Sequence, residues 1–267
     1  MQLGKQIRME RIFNRDSRRT IIVPLDHGVT VGPVAGIESM RETVSRVAQG
    51  GANAVLMHKG LVSAGHRGQG RDLGLIVHLS ASTTHSPSPN FKALVGTVED
   101  AIRLGADAVS LHVNLGDDRE KEMLSDLGKI TSSAKDWGMP VLAMVYGRGP
   151  GMREYDPKVV AHCARLGEEL GADLVKVNYT GDQESFSRVV NSCSIPVVIA
   201  GGEKMNTRKE LLKVVSDSLA AGGAGLSIGR NVFQDEDPVD LLQKLDEIVH
   251  QEKDWQDLVD VKRVQVA

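Results

Sequence analysis

Aromatic residues are scarce. Phe, Trp and Tyr make up 3% of the 267 residues, so stacked rings cannot build the core and aliphatic side chains must fill it. Cysteine is scarcer still: Cys163 and Cys193 stand alone, with no CxxC spacing. That argues against a disulfide framework and fits a reducing compartment. No apolar run approaches the ~20 residues that a membrane span needs. The stretch MQLGKQIRMERIFNRDSRR is charged throughout and has no apolar signal-peptide region. An excess of one charge is also missing. Lys and Arg number 32 against 35 Asp and Glu, a net charge of -3. Nucleic acid and anionic membranes are therefore not expected as partners. The composition fits a cytoplasmic protein with 41% hydrophobic and 25% charged residues.

Glycine is plentiful, with 28 residues, and its placement repeats. GGANAV from Gly50, LGADAV from Leu104, LGADLV from Leu170 and GGAGLS from Gly222 each follow an amphipathic helix and open an apolar strand. In each, glycine is read as a left-handed helix cap before a tight turn. Eight strands are expected: 20–26, 53–58, 74–79, 106–113, 140–146, 172–178, 196–200 and 224–229. Most are continuous apolar runs, as when both faces of a strand are buried. Ile37, Met40, Val44 and Val47 have helical spacing. Asp156-Pro157 and Asp237-Pro238 each supply an N-cap acid with proline at the next position. Thr207 with Glu210 reads as a capping box. The connection after HKG is short and Gly-rich, so its helix is weak or absent.

Eight such units fit a (β/α)8 TIM barrel occupying residues 1–267 as a single domain. No GxGxxG opens the first helix, which disfavours a doubly wound sheet. The first 19 residues read as an extra N-terminal helix plugging the barrel bottom. Residues after Gln251 read as a polar C-terminal helical tail. The active end of such a barrel lies at the C-terminal ends of its strands. Ionisable residues gather there, and the opposite ends read as apolar or small.

Lys176 lies among apolar β-formers in LVKVN. Strand alternation puts Lys176 and Asn178 on one face and Val175 and Val177 on the other. The valines should meet the helices, so Lys176 points into the barrel near its mouth. Desolvation there lowers its pKa, and a neutral amine attacks carbonyls to form a Schiff base. The alternative is an internal ion pair, for example with Asp26, that serves stability alone. Tyr146 and Asp26 each end an apolar strand, Tyr146 as a candidate proton donor and Asp26 as a candidate base, lysine partner or binder of substrate hydroxyls. The Tyr146 phenol is expected to fall below its ordinary pKa beside a lysine. Gly201, Gly202, Gly229 and Arg230 follow the last two strands, where this fold often binds phosphate. Given the fold, the phosphate reading is preferred to the alternative of turn glycines and a solvated arginine. Lys59 is an additional candidate contact. His27, His58, His78 and His112 lie on different strands with no HxH or HExxH spacing, so no metal site is expected.

VPLDHGVTVGP, LMHKGLV, HRGQGRDLGLIVHLS, ADAVSLHVN, YGRG, LGADLVKVNYTGD, AGGEKMNT and SIGRNVFQ resemble the archaeal-type class I aldolase family over nearly the whole chain. Within it, HKG and HRG resemble the branch that builds an aminodideoxyheptulosonate. The resemblance implies Lys176 as the Schiff-base residue, Tyr146 as proton donor and Asp26 as proton acceptor. It implies substrate contacts at His27, Gly28, Val29, Thr30, Gly147, Arg148, Gly201, Gly202, Gly229 and Arg230. Gly147 and Glu203 stand where the family pattern has proline. The implied reaction transfers part of 6-deoxy-5-ketofructose 1-phosphate to L-aspartate semialdehyde, towards 3-dehydroquinate and the aromatic amino acids. It implies no cofactor, no metal and a homo-oligomer. Class I fructose-1,6-bisphosphate aldolase is the alternative. A metal-dependent barrel hydrolase and a sugar-phosphate-binding protein are remoter ones.

Overall fold

The computed structural model describes residues 2–66, 68 and 73–259. Eight parallel strands close into a barrel in chain order. They are β1 (Thr20–Pro24), β2 (Ala54–His58), β3 (Gly74–His78), β4 (Ala108–Leu115), β5 (Val141–Gly147), β6 (Leu174–Asn178), β7 (Val197–Ala200) and β8 (Gly225–Ser227). All eight expected strands are present. Helix α1 (Leu3–Ile12) precedes them, and the outer layer is α2 (Met40–Gln49), α3 (Val98–Arg103), α4 (Glu120–Trp137), α5 (Pro157–Glu169), α6 (Gln183–Val190), α7 (Arg208–Ala220) and α8 (Pro238–Gln251). No helix among the described residues is long and apolar enough to cross a membrane.

Strand alternation builds two cores. Ile21, Val23, Val55, Met57, Val175 and Val177 face outward and join the large core shared with the helices. Ile22, Leu56, Ile76, Leu142, Leu174 and Val198 face inward and fill the barrel. Each fully buried aliphatic side chain contributes roughly 1.5–3 kcal/mol. Helix α1 plugs the bottom as expected, with Ile12 fully buried in the inner core and Met9 and Phe13 packed against it.

The repeat glycines do what their spacing implies. Gly51, Gly105, Gly171 and Gly222 all have positive φ, between 77° and 97°. After α5, the Ala172 amide donates back to the Gly167 carbonyl at 3.0 Å and the Gly171 amide to Glu168 at 2.9 Å, closing the helix end. Asp156 and Asp237 cap α5 and α8 through their side chains. At α7, Thr207 accepts from the Glu210 amide, but the return bond is absent. The reciprocal box forms instead at Thr97 and Asp100, opening α3. Between β2 and β3 only a 3-10 turn and Val62–Gly65 are helical among the described residues. At the C-terminus Gln256–Val259 is helical, with Leu258 buried, and residues 260–267 lie outside the described part.

The barrel bottom is not apolar, contrary to expectation. The fourth residue of three repeats stitches neighbouring strands together. Asn53 accepts from the Ile21 amide at 2.7 Å, Asp107 from Leu75 at 3.0 Å and Asp173 from Val141 at 3.0 Å. The two aspartates also hold α1: Arg11 donates to Asp107 at 2.9 Å and Lys5 to Asp173 at 3.0 Å. In the fourth repeat the equivalent position is Ala224, whose amide donates to the Val197 carbonyl at 2.8 Å as the others donate to their preceding strands, but which has no side-chain acceptor. At the other end, an unexpected antiparallel ribbon, Ser80–Ala81 with Ala93–Leu94, rises from β3.

Replacing Asp173 with alanine should strand the Lys5 ammonium and the Val141 amide together. Loss of a part-buried charged partner costs about 3 kcal/mol. Urea unfolding of Asp173→Ala checks this, and Asp173→Asn, which keeps an acceptor for Val141, should lose less.

Candidate active site

Lys176 sits on β6 in register with Met144 of β5 and Val198 of β7. Both neighbours belong to the inner core, and Lys176 is 8% exposed. Its ammonium has no hydrogen bond to any described residue. Burial therefore pulls its pKa from 10.5 down to about 8. Asp26 opposes this by attraction, while Arg148 and Arg230 add to it by repulsion.

Asp26 lies just beyond β1, beside His27 and the short helical turn His27–Val31. Burial pushes its carboxyl up, but His78, His27, Lys176 and His58 together outweigh burial and leave it below the usual carboxylate range. The carboxylate is therefore ionised at neutral pH. Its oxygens lie 3.6 Å from His27 Nδ1 and 3.9 Å from His78 Nε2, beyond hydrogen-bond distance. The Tyr146 ring packs edge-on against His112 at 4.9 Å, and the Arg148 guanidinium lies 4.5 Å from its centre. Burial pushes the Tyr146 phenol well above its ordinary value; Arg148 lowers it less, and Asp26, Glu154 and Cys163 raise it. The expected depression does not occur, because a buried phenolate loses more hydration than the nearby cations return. Tyr146 remains a protonated donor.

The four histidines are held largely neutral by burial. His78 is lowered to about 4 despite Asp26, and its Nδ1 lies 2.8 Å from Ser110 Oγ. His112 is also lowered, and its Nε2 lies 2.8 Å from Asn114 Oδ1. His58 packs edge-on against His78. One ligand atom each from Asp26, His58 and His78 falls within 4.8 Å of the others, a grouping that sequence spacing did not reveal.

On the opposite rim, the loops after β7 and β8 come together. Arg230 donates to the Gly202 carbonyl at 2.7 Å, and Asn231 donates to the carbonyls of Gly201 at 3.2 Å and Glu203 at 3.1 Å. Gly202 has φ +61°. Packing alone demands glycine at two positions: a Cβ on Gly201 would lie 2.6 Å from Ile228, and one on Gly229 would lie 2.6 Å from the His27 ring. Arg230 Nε is buried with no partner among the described residues. Gly28 faces open space, and Val29 is exposed close to it. Lys59 is half-exposed and pairs with Asp100 at 3.1 Å. Arg67, the arginine of the HRG stretch, lies outside the described residues.

A buried, depressed lysine at a barrel mouth, with an ionised carboxylate and a protonated phenol, is an arrangement for imine chemistry. The family model for DeoC/LacD family aldolases matches residues 20–235. The chain belongs to that family. It is 44% identical over 251 residues to 2-amino-3,7-dideoxy-D-threo-hept-6-ulosonate synthase of Halobacterium salinarum, covering 94% of this chain and 93% of that one. It is 39% identical over 248 residues to 2-amino-4,5-dihydroxy-6-oxo-7-(phosphonooxy)heptanoate synthase of Streptomyces griseus, covering 92% and 90%. Its fold matches an archaeal fructose-1,6-bisphosphate aldolase solved with its catalytic lysine bound to a carbinolamine intermediate. The TM-score is 0.84, with 31% identity and coverage of 92% and 99%.

Within this aldolase barrel, Gly147 can be neither alanine nor larger without movement, because a Cβ there would lie 2.3 Å from Val159 of α5. Two features of the mouth were not read from the sequence: the ribbon after β3 and buried Lys92 within it.

Replacing Lys176 should stabilise the fold. Below pH 8 the lysine is charged in both folded and unfolded chains, and the folded chain bears the full cost. Between pH 8 and 10.5 the folded lysine has lost its proton while the unfolded one has not, so that cost fades. Lys176→Met should gain up to about 3 kcal/mol at pH 7, a gain shrinking to nothing by about pH 10.5. Denaturant titrations of both proteins across that pH range check it.

Proposed function

We propose that this chain is a Schiff-base transaldolase. It would form 2-amino-3,7-dideoxy-D-threo-hept-6-ulosonate from 6-deoxy-5-ketofructose 1-phosphate and L-aspartate semialdehyde, in the route to 3-dehydroquinate and the aromatic amino acids. The observation that carries this is Lys176: an inward amine, 8% exposed, lowered to about 8 and lodged between Met144 and Val198. On this proposal the barrel acts as one domain over residues 1–267, works in the cytoplasm and assembles as a homo-oligomer.

The neutral Lys176 amine attacks the C5 ketone of the donor. The carbinolamine hydroxyl leaves as water with a proton from Tyr146, giving the iminium. Asp26 takes the proton of the C3 hydroxyl, and the C3–C4 bond breaks. Its electron pair moves into the iminium, and the departing aldehyde carries the phosphate. The resulting enamine carbon bonds to the aldehyde carbon of L-aspartate semialdehyde, and Asp26 returns its proton to the new alkoxide. Water then hydrolyses the iminium. The product leaves, Tyr146 regains its proton and Lys176 is again a free amine. The iminium is the electron sink throughout. His27 to Thr30, Gly147, Arg148, Gly201, Gly202, Gly229 and Arg230 would line the substrate. The product would carry an amino acid group at C1–C2 and a ketone at C6. The name of the S. griseus relative describes the same ends, with a phosphate at C7 beside the ketone.

Fructose-1,6-bisphosphate aldolase activity is the alternative, favoured by the 31% identity and common fold with the archaeal enzyme. A metal-dependent hydrolase finds some support in the grouping of Asp26, His58 and His78. It leaves buried Lys176 without a use.

Borohydride with the donor should trap a covalent adduct that mass spectrometry places on Lys176. Trapping should rise with pH through a midpoint near 8, because the attacking amine must be neutral. No adduct at Lys176 would sink the imine mechanism. Turnover with L-aspartate semialdehyde should exceed that with glyceraldehyde 3-phosphate; the reverse preference would favour the aldolase.

A further inference from the structure

Lys92 is the cation that the chemistry above leaves unused. It directly precedes the second strand of the ribbon after β3 and is 9% exposed. Its ammonium donates to Ser82 Oγ and to the Pro89 carbonyl at 3.1 Å. Neither acceptor is charged. No carboxylate among the described residues lies within ion-pairing range of it. A lysine side chain buried without a counter-charge is costly, and an anionic ligand would relieve that cost.

The loop that carries Lys92 is fastened across the barrel mouth. The Thr84 amide donates to the Thr30 carbonyl after β1 at 2.9 Å. Asn90 donates to the Arg148 carbonyl after β5 at 3.1 Å, and Asn114 of β4 donates to the Asn90 carbonyl at 2.5 Å. The Asn90 tie anchors the chain two residues before Lys92 to the backbone of Arg148. The Arg148 guanidinium pairs with Glu154 at 2.8 Å and lies over the Tyr146 ring. Burial lowers Lys92 to about 8; Arg148 lowers it further, and Asp26 raises it by less. The tied loop thus keeps two mutually repelling cations at one edge of the site. Arg230 and the glycine loops stand on the β7–β8 rim, and Lys176 is repelled by both Arg148 and Arg230.

We infer that Lys92 and Arg148 hold the acidic end of the aldehyde that the enamine attacks. Given the transaldolase proposed above, on which this rests, that group is the carboxylate of L-aspartate semialdehyde. The product places its ketone at Lys176 and its carboxylate at the far end of a seven-carbon chain, so the two ends need separate holders. The ketone end points to the glycine loops, and the acid end points to Lys92. The departing aldehyde occupies the same side before the acceptor arrives, so its phosphate meets the same two cations. Each aldehyde carries its anionic group on the second carbon beyond the reacting carbonyl, which suits one subsite to both.

Kinetics with two acceptors test this. The phosphate-bearing aldehyde has left before either acceptor binds, so kcat/KM for the acceptor reports only the later steps. Lys92→Met should lower kcat/KM for L-aspartate semialdehyde by about tenfold or more, as expected for loss of a charged hydrogen bond, and should also raise the donor KM. With propanal, which has no acid group, the acceptor kcat/KM of the same variant should fall by no more than about twofold. Lys92→Arg should restore most of the kcat/KM for the semialdehyde. An unchanged kcat/KM for the semialdehyde, or equal losses with both aldehydes, would overturn the assignment. Wild-type protein gives an independent answer if Lys92→Met fails to fold. The semialdehyde should be used with about tenfold or higher kcat/KM than the analogue bearing a carboxamide in place of the carboxylate. Equal values would likewise overturn the assignment. Borohydride trapping with dihydroxyacetone, an uncharged ketone, keeps the two ideas apart. If wild-type Lys176 gives no adduct, the Schiff-base mechanism fails; if it does and the carboxylate has no effect, only the Lys92 assignment fails.

Discussion

The burial of one ammonium group organises this molecule. Lys176 faces the inside of a closed barrel, between a methionine and a valine, where water cannot solvate it well. A lysine in that place lowers stability, and nothing in β6 itself compensates. The barrel must therefore be stable from other sources. Those are the aliphatic layer on the outer faces of the strands, the inner layer from every strand except β8, and the plug beneath, where Ile12 closes the inner core. Asp26 offsets part of the cost, and Arg148 and Arg230 add to it. Their combined effect leaves the amine near the pH where it can lose its proton.

Charge is used in opposite ways at the two ends of the barrel. At the bottom, Lys5 meets Asp173 and Arg11 meets Asp107, and both aspartates also accept strand amides. Opposite charges close on one another, and α1 is pinned. At the mouth, Asp26 attracts Lys92 and Lys176, and Glu154 pairs with Arg148. Arg148 repels Lys92, and Arg148 and Arg230 both repel Lys176. The first arrangement stabilises the fold. The second lowers stability and favours anionic ligands.

Much of this was legible in the sequence because barrel strands obey local rules. Apolar runs marked all eight strands, and positive-φ glycines marked the repeat. Two-residue alternation was enough to turn Lys176 inward. What stayed hidden depends on closure in three dimensions. Asp107 and Asp173 gave no sign of their role, because the amides they accept from belong to the preceding strand, 32 positions away. The ribbon after β3 gave none either, since two-residue strands have no periodicity to read. Lys92 was therefore not singled out. Tyr146 was placed correctly, but its shift was misjudged, because desolvation depends on every neighbour and not on the nearest charge.

The glycine loops show how a sequence signal can have two causes. Glycines after the seventh and eighth strands suit a phosphate because backbone amides can come close to it. In this molecule Gly201 and Gly229 are also required by packing against Ile228 and His27. Their presence alone cannot distinguish an anion site from a tight junction. Arg230 serves the junction as well: its guanidinium reaches from the β8 loop to the Gly202 carbonyl, and its buried Nε finds no partner among the described residues. An unpartnered buried atom does not by itself mark a ligand, since Glu168 has one too. What the junction does settle is electrostatic. It fixes a guanidinium where it repels Lys176, so the same contacts that close the two loops also help to hold the buried amine near neutrality.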